Sequence, residues 1–97
     1  MVITVLDHVP HCYTPQDGTV ILALLRPAFA RGQRITLSFS GVSDVPSSFI
    51  NASLVPFVQA YGADWVKAHL VLTGVTRQVA DMVRRCFANA ERILEAA

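Results

Sequence analysis

The chain has 97 residues and a mass of 10.6 kDa, which leaves room for a single domain spanning residues 1–97. Apolar residues make up 53% of the sequence and charged residues only 15%, a balance that excludes intrinsic disorder, collagen-like repeats and a polar linker. The formal net charge of +1 argues against a nucleic-acid-binding protein, because neutralising several phosphates calls for a basic surplus.

The sequence also indicates where the protein works. Its longest apolar runs, such as Val20–Leu25, are far shorter than the ~20 residues of a membrane-spanning helix. Met1–Ile3 lack the basic and long apolar regions of a signal peptide, so we expect a cytoplasmic protein. Cys12 and Cys86 lie far apart in segments of different character, which indicates two free thiols in a reducing compartment.

The first half of the chain predicts a strand, a helix and a second strand. The apolar, β-branched run Met1–Leu6 is typical of a strand. Thr14 can cap a helix that starts at Pro15, where apolar residues at helical spacing follow. Pro27 inside this stretch predicts a kink or a short break. Residues 35–40 alternate between apolar and polar side chains, which predicts the second strand.

The second half predicts two further helices around a third strand. Ser47 or Ser48 is the expected N-cap of the first of them. A short helical turn over 63–69 then leads into a buried strand over 70–72. From Thr76 onward the pattern is the clearest in the sequence, an apolar stripe with a period of 3.6 residues formed by Val79, Met82, Val83, Cys86, Phe87, Ala90, Ile93 and Leu94. The alternation of strands and helices predicts an α/β layer fold with a small, largely parallel or mixed sheet.

The segment from Gly41 to Asn51 carries the second strand into a helix and is the leading candidate for a site. In open α/β sheets, ligand and regulatory sites lie beside the carboxyl ends of strands. Backbone N–H groups at a helix start attract oxyanions, and a phosphate on a capping serine would gain hydrogen bonds there. The simpler interpretation is that Ser47 or Ser48 merely caps the helix and that Asn51 satisfies its own first turn.

Two histidines and a cysteine follow the first strand. His8, His11 and Cys12 could bind a soft metal, but a structural zinc site needs four ligands, and a turn with neighbouring polar side chains is the better explanation of the cluster. Catalysis by Cys12 would need a third, orienting group that the sequence does not identify. Gly18 has no glycine-rich companions, so neither a Walker loop nor a dinucleotide fingerprint is present. We therefore expect no metal, no cofactor and no enzymatic activity.

Four arginines lie outside the apolar stripe of the terminal helix: Arg77, Arg84, Arg85 and Arg92. One interpretation is a cationic ridge that binds an acidic partner. The other is a solvated helix face that Asp81 and Glu91 partly neutralise.

The stretch Ile35–Asn51, which reads ITLSFSGVSDVPSSFIN, together with the order of the elements, resembles STAS domains, the module of anti-sigma-factor antagonists and of sulfate-transporter tails. It is most similar to the bacterial STAS-like family of unknown function, and the resemblance covers about residues 14–88. It implies a single small STAS-like α/β domain with a mixed sheet of about four strands and about three helices packed on it.

In the antagonists the corresponding loop reads Asp-Ser-Ser-Gly, and a partner ATPase-type kinase phosphorylates its first serine. Ser47 stands at that position, whereas Pro46 and Phe49 replace the flanking aspartate and glycine. The resemblance implies a non-enzymatic regulatory module that docks a histidine-kinase-like ATPase. The expected docking and candidate phosphorylation residues are Asp44, Ser47, Ser48, Phe49 and Asn51.

An alternative function is the sensing of a small ligand or anion, such as a nucleotide or phosphate. It would use the same helix start, with Ser47, Ser48 and Asn51 as donors. A chain this apolar is also predicted to self-associate or to have an obligate partner, through the exposed faces of its first and last helices.

Overall fold

The sheet is small and wholly parallel. The computed structural model describes the backbone of residues 1–96 and the side chains of residues 1–93. Within this part of the chain three strands form the sheet: β1 (Val2–Thr4), β2 (Ile35–Ser38) and β3 (Leu70–Thr73). The central strand, β2, pairs in parallel with both neighbours. The expectation of a mixed sheet of about four strands is therefore wrong on both counts. The strands are all parallel because each connection contains a helix that returns the chain to the same end of the sheet.

The first strand is shorter than predicted, and the first helix begins where predicted. After β1 the chain leaves the sheet in a short 3-10 helix over Val5–Asp7. Helix α1 (Pro15–Ala30) has Thr14 as its N-cap, and the Thr14 hydroxyl accepts a hydrogen bond from the N–H of Asp17 at 3.1 Å. The helix continues past Pro27, so the short break, one of the two effects predicted for this proline, does not occur.

The middle of the chain contains three short helices. The helix expected to begin at Ser47 or Ser48 is divided at Leu54 into α2 (Ser47–Ser53) and α3 (Val55–Tyr61), since Pro56 has no N–H with which to continue the hydrogen bonding of α2. The predicted helical turn that follows is confirmed as α4 (Ala63–His69). Together with α1 and the terminal helix, the described residues contain five α-helices rather than about three.

The terminal helix α5 (Arg77–Ala96) confirms the predicted apolar stripe as far as Ala90, and Leu94 lies outside the residues whose side chains the structure describes. Val79 and Phe87 on this stripe are buried in the core, and Cys86 is a free, buried cysteine as predicted. Ile93, near the end of the same stripe, is 58% exposed. The stripe therefore extends past the surface that the other helices cover.

The helices cover one face of the sheet. Ile3, Ile35 and Leu37 lie on that face and are buried. The residues that alternate with them lie on the opposite face, where Val2 is 70% exposed and Val71 is 53% exposed. No helix within residues 1–96 covers this second face, although parallel sheets usually have helices on both faces.

Helices α1 and α2 make close contact at Gly18. A Cβ atom at this position would lie 2.7 Å from the carbonyl oxygen of Phe49 and 2.8 Å from the Cβ of Ala52. Glycine is the residue that permits this approach, and the contact holds α2 against α1.

Candidate functional site

The serine loop, residues 41–46, joins β2 to α2 and is held from behind by the start of α5. The side-chain amide of Gln78 accepts a hydrogen bond from the N–H of Val45 at 2.8 Å and donates one to the Val45 carbonyl at 2.9 Å. The Thr76 hydroxyl donates to the carbonyl of Ser43 at 2.7 Å. These bonds fix the loop backbone while leaving its outer side exposed to solvent.

Sequence reasoning missed Gln78 and assigned no role in the loop to Thr76. The hydrogen bonds join residues 33 positions apart, so no local pattern reports them. Thr76 carries a partial signal, because its hydroxyl also accepts a hydrogen bond from the N–H of Val79 at 3.3 Å, as an N-cap does.

Ser47 and Ser48 are the first two residues of α2, and neither is its N-cap. Pro46 occupies that position in an extended conformation, and no side chain within residues 1–93 caps the helix. The expectation of a capping serine is therefore wrong, because both serines already have helical backbone. Helix α2 has only seven residues, so few peptide dipoles add up at its start to attract an anion.

The predicted site residues are divided between the surface and the core. Ser47 and Asn51 are exposed and lie one helical turn apart on α2. Asp44 is exposed on the serine loop, and Ser48 is half-buried. Phe49 is fully buried, so its side chain anchors α2 in the core, and the expected contact of Phe49 with a partner does not fit this position.

Ser47 and Asn51 line one side of an open groove between α2 and α5, which we call the α2–α5 groove. It has a volume of about 560 Å³. Its other side and floor are formed by residues of α5: Met82, Arg85, Cys86, Ala88, Asn89 and Arg92. A depression of about 220 Å³ extends it toward α3, where Val55, Gln59 and Ile93 join the lining.

Two arginines make the α2–α5 groove cationic. Arg85 and Arg92 are exposed, and Arg92 donates a hydrogen bond to the side-chain oxygen of Asn89. Among the described residues that line the groove there is no aspartate or glutamate. Arg84, by contrast, forms a salt bridge with Asp81. Of the four arginines in the predicted ridge, Arg84 is therefore paired locally, and Arg85 and Arg92 line the groove.

Both thiols are buried. Burial and the nearby negative charge of Asp17 raise the pKa of Cys12 to about 11. Burial also raises the pKa of Cys86, although the positive charge of Arg85 acts in the opposite direction. Both groups are therefore protonated at neutral pH, whereas a nucleophilic cysteine must be a thiolate.

His11 pairs with α1 rather than with the neighbouring His8 and Cys12. Its Nδ1 lies 2.8 Å from Oδ2 of Asp17, and its ring stacks on Tyr13. Burial by itself raises the pKa of Asp17, but hydrogen bonding from Thr14 and the interaction with His11 outweigh it and hold this pKa below its ordinary value. In the part of the chain that the structure describes, no three His, Cys, Asp or Glu side chains come together as metal ligands.

Comparison with known families supports the resemblance seen in the sequence. The model of a family described as a STAS-like domain of unknown function (DUF4325) matches residues 17–80, from the first turn of α1 to the start of α5. This match confirms the resemblance to STAS domains. Arg85 and Arg92 lie outside the matched residues. Comparison with curated proteins and with solved structures gives no match. Over residues 1–96, none of the helices combines the length and the apolar character that crossing a membrane requires.

Proposed function

The chain belongs to the family of STAS-like domains of unknown function, and from this premise we propose that it is a non-enzymatic regulatory module that docks a protein partner, an ATPase of the histidine-kinase-like class. Docking takes place on the outer side of the serine loop and on the exposed start of α2. The partner contacts Asp44, Ser47 and Asn51, while Ser48 and Phe49 position the helix beneath them.

The observation that carries this proposal is the way in which the serine loop is held. Gln78 and Thr76 bind its backbone from the side of α5. Asp44, Ser47 and Asn51 remain exposed on the other side. A pre-ordered surface loses little conformational entropy when a partner binds, which favours recognition. The raised pKa of both thiols disfavours catalysis by a cysteine nucleophile, the one enzymatic mechanism that the sequence raised.

Ser47 is the position at which this docking is regulated. Ser47 is exposed, so a kinase can reach it. A phosphate there adds about two negative charges to the surface that the partner contacts, and these charges would have to be desolvated on binding. Phosphorylation of Ser47 therefore weakens the complex without unfolding the domain.

Co-purification tests the proposal directly. A tagged chain is isolated from its native cell, co-purifying proteins are identified by mass spectrometry, and binding of the purified candidate is measured with the wild-type chain and with Ser47→Asp. We expect an ATPase of the stated class that binds the wild-type chain and binds Ser47→Asp at least about tenfold more weakly.

The matched control is Gln33→Asp, which adds the same charge at an exposed position at the opposite end of β2. It should bind the partner as the wild-type chain does. If the folded wild-type chain repeatedly captures no such ATPase, the proposal is wrong. If Ser47→Asp and Gln33→Asp bind equally, Ser47 has no role in docking.

A second function, the sensing of a small anion, is favoured by the two arginines that face Ser47 and Asn51 across the α2–α5 groove. A thermal-shift screen against nucleotides, phosphates and carboxylates tests it. A true ligand at about a hundred times its Kd should add about 2.7 kcal/mol to the free energy of unfolding, whereas a module that binds only proteins should give no shift.

A further inference from the structure

The cationic residues of the α2–α5 groove are regularly spaced. Arg85 and Arg92 are seven residues apart on one helix, which places their Cα atoms about 10 Å apart along the axis of α5. The hydrogen bond to Asn89 orients Arg92 back along the helix, toward Arg85. Opposite them, Ser47 and Asn51 offer a hydroxyl and an amide for further hydrogen bonds. The groove therefore presents two guanidinium groups to one ligand.

Apolar surface lies directly beside these charges. Met82 lines the groove itself, and Val55 and Ile93 line the depression that continues it. Ile93 belongs to the apolar stripe of α5 but is 58% exposed. A bare anion would make no use of these apolar contacts, whereas a peptide with acidic and apolar side chains would use both kinds.

We propose that the α2–α5 groove binds an acidic peptide segment of the partner protein. Carboxylates of this segment pair with Arg85 and Arg92, and an apolar side chain between or beside them packs on Ile93. The Cα atoms of the two arginines are about 10 Å apart along the helix, so their long side chains can reach two acidic residues about three positions apart in an extended peptide. The inference deepens the proposed function, because it assumes a protein partner and states what the contacting segment of that partner contains.

The test uses a synthetic peptide as the probe. A fluorescein-labelled peptide of about eight residues has glutamates about three positions apart with leucines between them, and its counterpart has glutamine at the same positions. Fluorescence anisotropy measures both peptides against the full chain. We expect the glutamate peptide to bind at least about tenfold more tightly than the glutamine peptide, and its affinity to fall as sodium chloride is raised.

Two double variants of equal charge make the test specific. Arg85→Gln/Arg92→Gln removes the pair in the groove, and Arg26→Gln/Arg34→Gln removes two exposed arginines near the opposite end of β2. The first variant should bind the glutamate peptide at least about tenfold more weakly than the wild-type chain does. The second should bind it with an affinity within about twofold of the wild-type value. Asn51→Asp, which places a carboxylate in the groove, should also weaken binding.

Several results would overturn this inference. One is an absence of binding by the glutamate peptide, and another is an equal loss in the two double variants, which would mean that overall charge alone attracts the peptide. If inorganic phosphate displaces the peptide where sodium chloride at the same ionic strength does not, that result would instead identify a small-anion site. Self-association that sedimentation detects in the wild-type chain and not in Arg85→Gln/Arg92→Gln would identify a contact with a second copy.

The failure of this inference can be distinguished from the failure of the proposed function. If the co-purified ATPase binds the wild-type chain and Arg85→Gln/Arg92→Gln equally well, the partner docks elsewhere and only the inference is wrong. If no such ATPase is captured at all, the proposed function itself is wrong.

Discussion

Hydroxyl groups stand at the starts of both α1 and α2, but only one of them caps a helix. The Thr14 hydroxyl accepts a hydrogen bond from the N–H of Asp17, whereas Ser47 follows the N-cap Pro46. We therefore expect Thr14→Ala to lower the free energy of unfolding by about 1 kcal/mol. Ser47→Ala should change it by less than about 0.5 kcal/mol, as is typical of exposed positions. Urea denaturation of both variants checks this pair, and an equal loss in both would contradict it.

Asp17 makes the stability of the folded chain depend on pH. Its pKa in the folded chain lies below the value of about 3.9 expected in the unfolded chain. The ionised carboxylate therefore stabilises the fold fully above about pH 4, and this contribution is lost as the pH falls through the lower, folded pKa. Urea denaturation at neutral and at acidic pH should show a smaller decrease for Asp17→Asn than for the wild-type chain. Equal decreases would mean that Asp17 has no part in the acid sensitivity.

The contact between α1 and α2 reverses the usual effect of replacing a helical glycine. Helix propensity alone predicts that Gly18→Ala stabilises α1 by about 1 kcal/mol. A methyl group at this position, however, would lie 2.7 Å from the backbone oxygen of Phe49, so the two helices must move apart. We expect Gly18→Ala to lower the free energy of unfolding by about 1–3 kcal/mol. Thr19→Ala, at the next and exposed position, is the control and should not show this loss. If Gly18→Ala were more stable than the wild-type chain, the close contact between α1 and α2 would be contradicted.

The connection between the serine loop and α5 should also be measurable. Gln78→Ala removes both hydrogen bonds to the peptide groups of Val45, a residue that is otherwise buried. We expect a loss of about 1–2 kcal/mol in the free energy of unfolding and faster hydrogen exchange at the amide of Val45. Gln59→Ala removes the same side chain from an exposed position on α3 and should change neither quantity. Unchanged exchange at Val45 in Gln78→Ala would mean that α5 does not hold the loop.

At the scale of the whole molecule, the open face of the sheet adds a third candidate to the two helix faces on which the sequence predicts association. Val2 and Val71 are exposed there and lie in one row across β2, on either side of Thr36. Parallel sheets are usually covered on both faces, so we expect a second copy or a partner to cover this one.

Sedimentation at micromolar concentration tests this expectation. Self-association through the sheet should decrease in Val2→Thr/Val71→Thr and persist in Val20→Thr, which removes an exposed valine from α1. A decrease in Val20→Thr alone would place the contact on α1 instead. A wild-type monomer that binds no apolar dye would contradict both locations.

The sequence by itself determined the features that depend on neighbouring residues. Three features could be predicted from the sequence: the start of α1 at Thr14–Pro15, the alternation over residues 35–40 and the period of 3.6 residues in α5. Each depends on residues that lie within about four positions of one another. The segment Ile35–Asn51 also carried the family resemblance. The division of the helix at Leu54 had a local signal as well, the proline at position 56, and could have been predicted from the sequence.

Only the tertiary structure decided which of these residues meet. Gln78 binds the serine loop 33 positions away in the sequence. Position 18 must be glycine because a Cβ atom there would collide with the carbonyl oxygen of Phe49 in α2. Phe49 lies in the core, although Ser47 in the same helix is exposed. The arginines Arg84 and Arg85 are neighbours in sequence, yet one pairs with Asp81 and the other faces the α2–α5 groove. Successive residues on a helix point in directions about 100° apart, so their surroundings depend on which elements pack on each side. That packing is set by side chains distant in sequence, and no local pattern contains it.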